Sequence, residues 1–324
     1  MDVLSLIKKP IVTELEEFKT LFSDTLSSSN ALLNSVLDHI SQRSGKRMRP
    51  ILVLLMAKCC GKVTPATLHA AIALELLHTA SLVHDDVVDE SNERSGQLSV
   101  NAIFNNKVSV LSGDYLLATA LVQVSQTANL EIIHTVSMLG QELAEGELLQ
   151  LANVSNQDFS ESVYFDVIRK KTASLFAACT KAGALSVGAS DEKVEIARLF
   201  GEYIGICFQV KDDIFDYYEA KEIGKPTGND MREGKITLPA LYVLNTTHDE
   251  EALMWGKKVK QGTASTDEIE HLVAFTKQHG GIDYAVSVMQ AYREKALALL
   301  DFCTDAAVIQ ALTAYLDYVV MRNK

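Results

Sequence analysis

Between Pro65 and Pro226 the chain contains no proline, and only five occur in all. Proline removes a backbone donor and clashes with the preceding helical turn, so this long interval leaves helices free to run. It is rich in Ala, Leu and Glu, which are strong helix formers. No strand-like alternation punctuated by turns, no low-complexity tract and no linker interrupts it. The 324 residues therefore read as all-α and as one domain, residues 1–324. Thr64 and Pro65 supply an N-cap and a first-turn proline, and the apolar pattern then continues to Val88, which predicts one long helix. Residues 11–40 predict one or two amphipathic covering helices, with Thr13 and Glu16 as a capping box. Residues 99–127 and 130–152 predict two more helices, and 91–97 a polar loop.

Charge and cysteine usage narrow the function. A net charge of −12 argues against non-specific nucleic-acid binding while leaving room for a local basic pocket. The five cysteines, Cys59, Cys60, Cys179, Cys207 and Cys303, show no CxxC or zinc spacing. Their odd number and mostly apolar neighbours read as buried thiols in a reducing compartment. The N-terminus has no signal-peptide pattern, and no uninterrupted apolar run approaches the roughly 18 residues of a spanning helix. A cytoplasmic protein with no transmembrane segment is expected.

The chemistry lies in a repeated acidic pentad. Asp85-Asp86-Val87-Val88-Asp89 ends the predicted long helix. Positions four apart stack on one helix face, so Asp85 and Asp89 point the same way and Asp86 to one side. Hard oxygen ligands from one or two carboxylates, shared with phosphate oxygens, describe a Mg²⁺ site. Alone, such spacing usually marks a solvated face. Here it follows the apolar Ala80-Ser81-Leu82-Val83, and it recurs as Asp212-Asp213-Ile214-Phe215-Asp216 inside a second apolar run over residues 201–217. The repetition suggests two carboxylate clusters facing each other across a cavity, bridged by metal ions and a diphosphate. His84-Asp85 also spells the pair of the HD-type metal phosphohydrolases, but that chemistry needs further His and Asp partners in a set order. Upstream, Gly45-Lys46-Arg47-Met48-Arg49-Pro50 opens a buried-looking helix. It fits equally an exposed helix start and a phosphate grip at a helix N-terminus. His78, on Glu75-Leu76-Leu77-His78, has the default reading of a packed or capping residue, as Lys171 has that of a solvated lysine. Glu142, Glu145 and Glu147 near Gln150 read as internal or interface hydrogen bonding. Residues 224–230 form a turn-rich run.

The two pentads, the Gly45–Pro50 run and Lys171-Thr172 together resemble the trans-isoprenyl diphosphate synthases, and among them the long-chain, octaprenyl-type polyprenyl synthases. The resemblance covers the chain from about Pro10 to the C-terminus. It implies an isoprenoid synthase helical bundle around a central cavity. It also implies Mg²⁺-dependent ionisation of an allylic diphosphate, followed by attack of isopentenyl diphosphate on the cation. On the family's pattern Asp85, Asp89, Asp212 and Asp216 hold Mg²⁺, more than one ion per site. Lys46, Arg49 and His78 hold isopentenyl diphosphate, and Arg94, Lys171, Thr172, Gln209 and Lys225 hold the allylic diphosphate. Lys171, Thr172, Gln209, Lys225 and Lys235 serve the catalytic step, Thr172 and Gln209 toward the carbocation and the two later lysines over the leaving group. Gln209, three residues before Asp212, shares the second pentad's helix face. The released diphosphate takes the proton. A homodimer is implied, with a product passed to membrane enzymes, for example as a quinone side chain. One residue departs from the pattern: Ser95 follows Arg94 where the family carries a second arginine. Losing that charge-assisted contact would cost roughly 1.5–3 kcal/mol and raise the KM for isopentenyl diphosphate without abolishing turnover.

Product length is also readable. Ala73, Leu77, Ala80, Ser81 and His84 lie along one edge of the pentad helix. Short-chain members of the family place an aromatic just before the first pentad and, in bacteria, insert two residues within it. Ala80 and Ser81 are small and the insertion is absent, so with Leu77 they predict a deep tunnel and an all-trans product of about C30–C50, unless another helix blocks it. A medium- or short-chain synthase (about C15–C20) and a subunit of a heteromeric synthase are the alternatives. A terpene cyclase is disfavoured, because Asp212-Asp213-Ile-Phe-Asp216-Tyr-Tyr-Glu219 keeps the synthase form. Gly113-Asp114-Tyr115 reads as structural, and the basic tail Met321-Arg322-Asn323-Lys324 as a partial cover for the site.

Overall fold

The computed structural model describes every residue except 1, 43–44, 95, 156–157, 219–226 and 323–324. Ser95, Glu219, the first three residues of the turn-rich run (224–226, with Lys225) and the last two residues of the basic tail lie outside the described residues. The rest is all-α apart from one two-residue hairpin. The helices are α1 (Val3–Lys8), α2 (Val12–Thr25), α3 (Ala31–Gln42), α4 (Met48–Cys60), α5 (Pro65–Val88), α6 (Val100–Phe104), α7 (Asn106–Ser125), α8 (Leu130–Ser155) and α9 (Glu161–Ile168). They continue as α10 (Ser174–Leu185), α11 (Asp191–Phe215), α12 (Asn229–Arg232), α13 (Leu238–Thr247), α14 (Glu250–Lys260), α15 (Thr266–Gln278), α16 (Gly281–Ala298) and α17 (Ala306–Met321). Contacts group the chain into two compact units. One is Met1–Gly140, Leu175–Gly201 and Leu299–Tyr315; the other is Gln141–Ser174, Glu202–Ala298 and Leu316–Lys324.

In the first unit α5 packs most extensively on α7, and also on α4. Residues Pro50 to Ala57 of α4 are buried without interruption, so this helix is apolar all round, as a core helix is. α5 starts as its sequence predicts: Thr64 and Thr67 cap each other reciprocally and Pro65 opens the first turn. α5 and α7 cross closely at Gly113, where a Cβ would stand 2.2 Å from His84 Nε2. A side chain at Gly113 would push the His84 ring from this position, in keeping with the structural reading of Gly113.

Three local expectations differ. The Thr13–Glu16 capping box does not form. A 3₁₀ turn (Lys9–Ile11) leads from α1 into α2, whose N-cap is Ile11, so Thr13 stands at the second helical position and not at the cap. Residues 91–97 are not a plain loop: Glu93–Arg94 pairs antiparallel with Gln97–Leu98, and Gly96 at φ 77° supplies the left-handed residue of the tip. The helix expected over 99–127 breaks at Asn105 (φ 84°), whose side chain caps the amide of Val108. Two helices pass a length-and-composition test for a membrane span, as core helices also do. α5 and α7, 24 and 20 residues long, are long and apolar enough by composition to cross a bilayer, although 56% of the apolar window of α5 is buried within the protein.

In the second unit α9 does not pass smoothly into α10. Arg169–Ala173 forms a π turn, a widening common at functional sites, and Lys171 and Thr172 sit on it. α11 carries Gln209, Asp212 and Asp213 and ends at Phe215, one residue before Asp216. α13 packs against α9, α15 and α16.

Candidate active site

In the first unit α5 ends at Val88, and Asp89 is its C-cap. The Asp89 amide still donates to the Asp85 carbonyl at 2.8 Å, so the turn carrying the two carboxylates is kept. The three aspartates differ in setting. Asp86 is 1% exposed and accepts from Arg94 Nε at 2.6 Å, Asp85 is half-buried, and Asp89 is exposed. Arg94, expected on the allylic diphosphate, thus lies on the first pentad's second aspartate.

At the start of α4, Arg47 has φ 48° and ψ 47°, an uncommon conformation for a side-chain-bearing residue, and its guanidinium lies 4.7 Å from the Phe22 ring centre. Lys46 is exposed, and Arg49 sits 5.7 Å from the Phe176 ring centre. His78 is held neutral: burial pushes its pKa well below the ordinary value, and the charges of Arg49 and Arg94 push the same way. One turn earlier, Glu75 is raised by burial against the pull of Arg49 and Arg47. Glu75 Oε2 and Arg49 Nε are both buried without a hydrogen-bond partner. Sequence reasoning singled out His78 and passed over Glu75, because a glutamate on a helix carries no signal of burial. Further along the helix, Leu77 and Ala80 are 4% and 2% exposed, and Ser81 Oγ donates to the His78 carbonyl at 2.9 Å.

In the second unit a cleft of about 740 Å³, including space open to solvent, is lined by Lys171, Thr172, Gln209, Lys235, Asp213 and Asp230 among others. It brings together four of the five expected catalytic residues; Lys225 lies outside the described residues. A chain of hydrogen bonds fixes the wall. Thr172 Oγ1 donates to Gln209 Oε1 (2.7 Å), Gln209 Nε2 to Asp213 Oδ1 (2.9 Å), and Tyr164 Oη to Asp213 Oδ2 (2.5 Å). Lys171 pairs with Glu147 and Lys235 with Glu233, each at 2.5 Å. Glu147 also accepts from Gln150 at 3.4 Å, in keeping with the hydrogen-bonding reading of that polar patch. Asp212 and Asp216 are not among the residues lining this cleft. Asp212 pairs with Arg322, placing one cation of the C-terminal tail on the second pentad, and Asp216 accepts from the amides of Asn229 (2.9 Å) and Asp230 (3.1 Å).

Burial raises every carboxyl of this cluster. Asp213 is pushed up to about 7, against the hydrogen bonds from Tyr164 and Gln209. Asp212 is raised against Arg322, and Asp216 against its amide donors. Asp230 is raised well above the carboxylate range by burial and then by the charges of Asp213 and Asp216. Such a cluster is short of positive charge, and a divalent cation suits that deficit. Among the described residues no three His, Cys, Asp or Glu side chains converge closely enough to hold a metal by themselves. Tyr164 and Asp230 had no local signal in the sequence; Tyr164 meets Asp213 across 49 residues of chain.

Comparison with known proteins agrees with this architecture. A family model of polyprenyl synthetase matches residues 30–276. The all-trans-nonaprenyl-diphosphate synthase (geranyl-diphosphate specific) of Rhodobacter capsulatus is 36% identical over 310 residues, 94% of either chain. The heptaprenyl diphosphate synthase component 2 of Geobacillus stearothermophilus is 36% identical over 270 residues, 81% of each. The crystal structure of geranylgeranyl pyrophosphate synthase from Bacteroides thetaiotaomicron superposes with a TM-score of 0.88 at 62% identity, covering 99% of this chain and 100% of that one. With the all-α fold and both acidic pentads in place, the chain belongs to the polyprenyl synthetase family of prenyltransferases.

Proposed function

We propose that the protein adds isopentenyl diphosphate units to an allylic diphosphate and releases a long all-trans polyprenyl diphosphate of about C30–C50, the length read from the small residues on one edge of α5. The observation that carries the reaction class is the Thr172–Gln209–Asp213–Tyr164 chain, fixed in one cleft with Lys171 and Lys235. Asp85 and Asp89 on one pentad, and Asp212 and Asp216 on the other, each offer carboxylate oxygens to Mg²⁺. When bound, Mg²⁺ supplies Lewis-acid polarisation of the diphosphate oxygens.

The chain's own residues do the rest. Lys171 and Lys235 exchange their glutamate partners for the allylic diphosphate, joined by Lys225 and by Arg94, and put fixed positive charge where negative charge grows. Thr172 and Gln209 present oriented dipoles to the cation side of the breaking bond. Lys46 and Arg49 grip isopentenyl diphosphate, and neutral His78 offers it a hydrogen bond without adding charge. The departing diphosphate takes the proton, and Ser95 raises the KM for isopentenyl diphosphate.

α7 exposes Leu111, Leu117, Leu121 and Val122 at helical spacing, an apolar stripe that a second copy of the chain would cover, and this supports a homodimer. The protein acts in the cytoplasm and hands its product to membrane enzymes. A second reading, a geranylgeranyl-length product, is favoured by the 62% identity to a structure of that name.

The isolated chain, given farnesyl diphosphate, labelled isopentenyl diphosphate and Mg²⁺, should give a ladder ending at one long polyprenyl length. A ladder ending at geranylgeranyl length would select the second reading, and no elongation at saturating substrate would favour a subunit role. Ala80→Phe should shorten the product by several units, because a ring added at a buried position floors the space beside it. An unchanged ladder would remove Ala80 from the length determinants.

A further inference from the structure

α8 carries two glycines in its interior, Gly140 and Gly146. Glycine is the poorest helix former after proline, so an interior position needs a reason to hold it. At Gly140 no steric reason exists: an added Cβ would meet only Leu77 Cδ1, at an ordinary 4.0 Å. Gly146 is different. It is buried, and an added Cβ would stand 2.8 Å from the backbone nitrogen of Lys171, 3.0 Å from Lys170 Cβ and 3.2 Å from the Lys170 carbonyl carbon. The first of these is closer than real Cβ atoms come. A backbone nitrogen cannot swing aside as the end of a side chain can, so the backbone itself would have to shift.

Backbone therefore rests on backbone where α8 crosses the π turn Arg169–Ala173, wholly within the second unit. Neighbouring residues on a helix point about 100° apart, so Glu145 and Glu147 flank the contact on opposite sides. Each reaches across to the turn. Glu145 pairs with Lys170 at 2.6 Å and Glu147 with Lys171 at 2.5 Å. Gln150, one helical turn on, accepts from Lys171 Nζ at 3.4 Å. Thr172, the other functional side chain of the turn, is tied to Gln209 at 2.7 Å. The glycine sets the height of the crossing, and the two ion pairs set its lateral place.

We propose that Gly146 is a positioning residue for the prenyl transfer: its missing side chain lets α8 lie directly on the π turn, so that Lys171 and Thr172 stand where they meet the allylic diphosphate. This rests on the assignment of those two residues to that substrate. A Cβ at position 146 would force α8 and the turn apart by about half an ångström. Lys171 would then draw away from Glu147 and Gln150, and the Thr172–Gln209 bond would lengthen. A misplacement of about 1 Å costs about a hundredfold in rate, so half of it should cost about tenfold. Lys46, Arg49 and His78, assigned to isopentenyl diphosphate, belong to the first unit, and the handling of that substrate should not change.

Gly140→Ala and Gly146→Ala make the same chemical change in one helix, which separates positioning from helix propensity. In the full chain, binding of farnesyl thiolodiphosphate, an allylic analogue that resists ionisation, is measured with Mg²⁺ by titration calorimetry. Steady-state kinetics for both substrates and circular dichroism accompany it. Gly140→Ala should bind and turn over as the native protein does. Gly146→Ala should keep the native helical signal and raise both the allylic KM and the analogue Kd about tenfold, with the KM for isopentenyl diphosphate within about twofold of native. Because Gly146 acts through Lys171, adding Gly146→Ala to Lys171→Met should weaken analogue binding by less than about threefold more. Unchanged allylic binding in Gly146→Ala, an equal rise in both KM values, or loss of its helical signal would each overturn the assignment. So would a full tenfold penalty that persists beside Lys171→Met. Native protein that does not bind the analogue would overturn the roles of Lys171 and Thr172 themselves, and with them that of Gly146.

Discussion

The two acidic pentads share a pattern but not an electrostatic state. In each, the middle aspartate is buried and bound to the protein: Asp86 to Arg94, Asp213 to Tyr164 and Gln209. The outer members, Asp85 with Asp89 and Asp212 with Asp216, are the less buried ones. The partner of that aspartate differs. Asp86 has a guanidinium 2.6 Å away and is balanced within the protein, whereas Asp213 has only neutral donors and stays protonated up to about 7. One motif therefore divides the work between a buried anchor and its less buried arms. The first pentad carries its guanidinium, from Arg94, on the anchor; the second carries one, from Arg322, on the arm Asp212 and leaves its anchor with neutral donors.

The largest effect expected is on the arms. Asp85→Asn and Asp212→Asn should each lower kcat by about 10²–10³-fold or more, by weakening electrostatic stabilisation of the leaving diphosphate. Circular dichroism should remain native, and steady-state kinetics checks both. Equal activity in either variant would remove that pentad from the reaction.

The anchors should separate the pentads in stability rather than rate. Asp86→Asn leaves Arg94 without its charged partner and should cost about 1–3 kcal/mol, at the low end because Arg94 is partly exposed. Asp213→Asn should do the reverse at neutral pH. Because the Asp213 carboxyl is raised in the folded state, the native protein binds the extra proton. Stability contributed by this group therefore falls as pH rises from about 4, the unfolded value, through about 7. The variant should lose that slope and match or exceed the native Tm at pH 8 without metal. Thermal denaturation from pH 5 to 8 reads both anchors, and parallel curves for native protein and Asp213→Asn would break the comparison.

Much of this was legible because it is local. The helix over 65–88 was readable from Thr64, Pro65 and an unbroken apolar pattern, and the backbone turn that joins Asp85 to Asp89 closes its end. Gln209 was placed on the second pentad's face by the same rule, and its amide reaches Asp213. What escaped depends on contacts distant in sequence. Nothing near Tyr164 announces Asp213, nothing near Glu75 announces Arg49, and the π turn under Lys171 and Thr172 has no residue signature that spacing can find. Thr13 failed in the opposite way. Its capping signal was locally sound, but α2 starts one residue before it, at Val12 behind the N-cap Ile11.

The central proposal is that each pentad takes up Mg²⁺ only when a diphosphate arrives with it. Isothermal titration of Mg²⁺ into the protein, with and without inorganic diphosphate, tests it most directly. More than one Mg²⁺ should bind per chain with diphosphate present, and only weakly without it, with the stoichiometry reduced in Asp212→Asn. Tight Mg²⁺ binding in the absence of diphosphate, or none in its presence, would contradict the account.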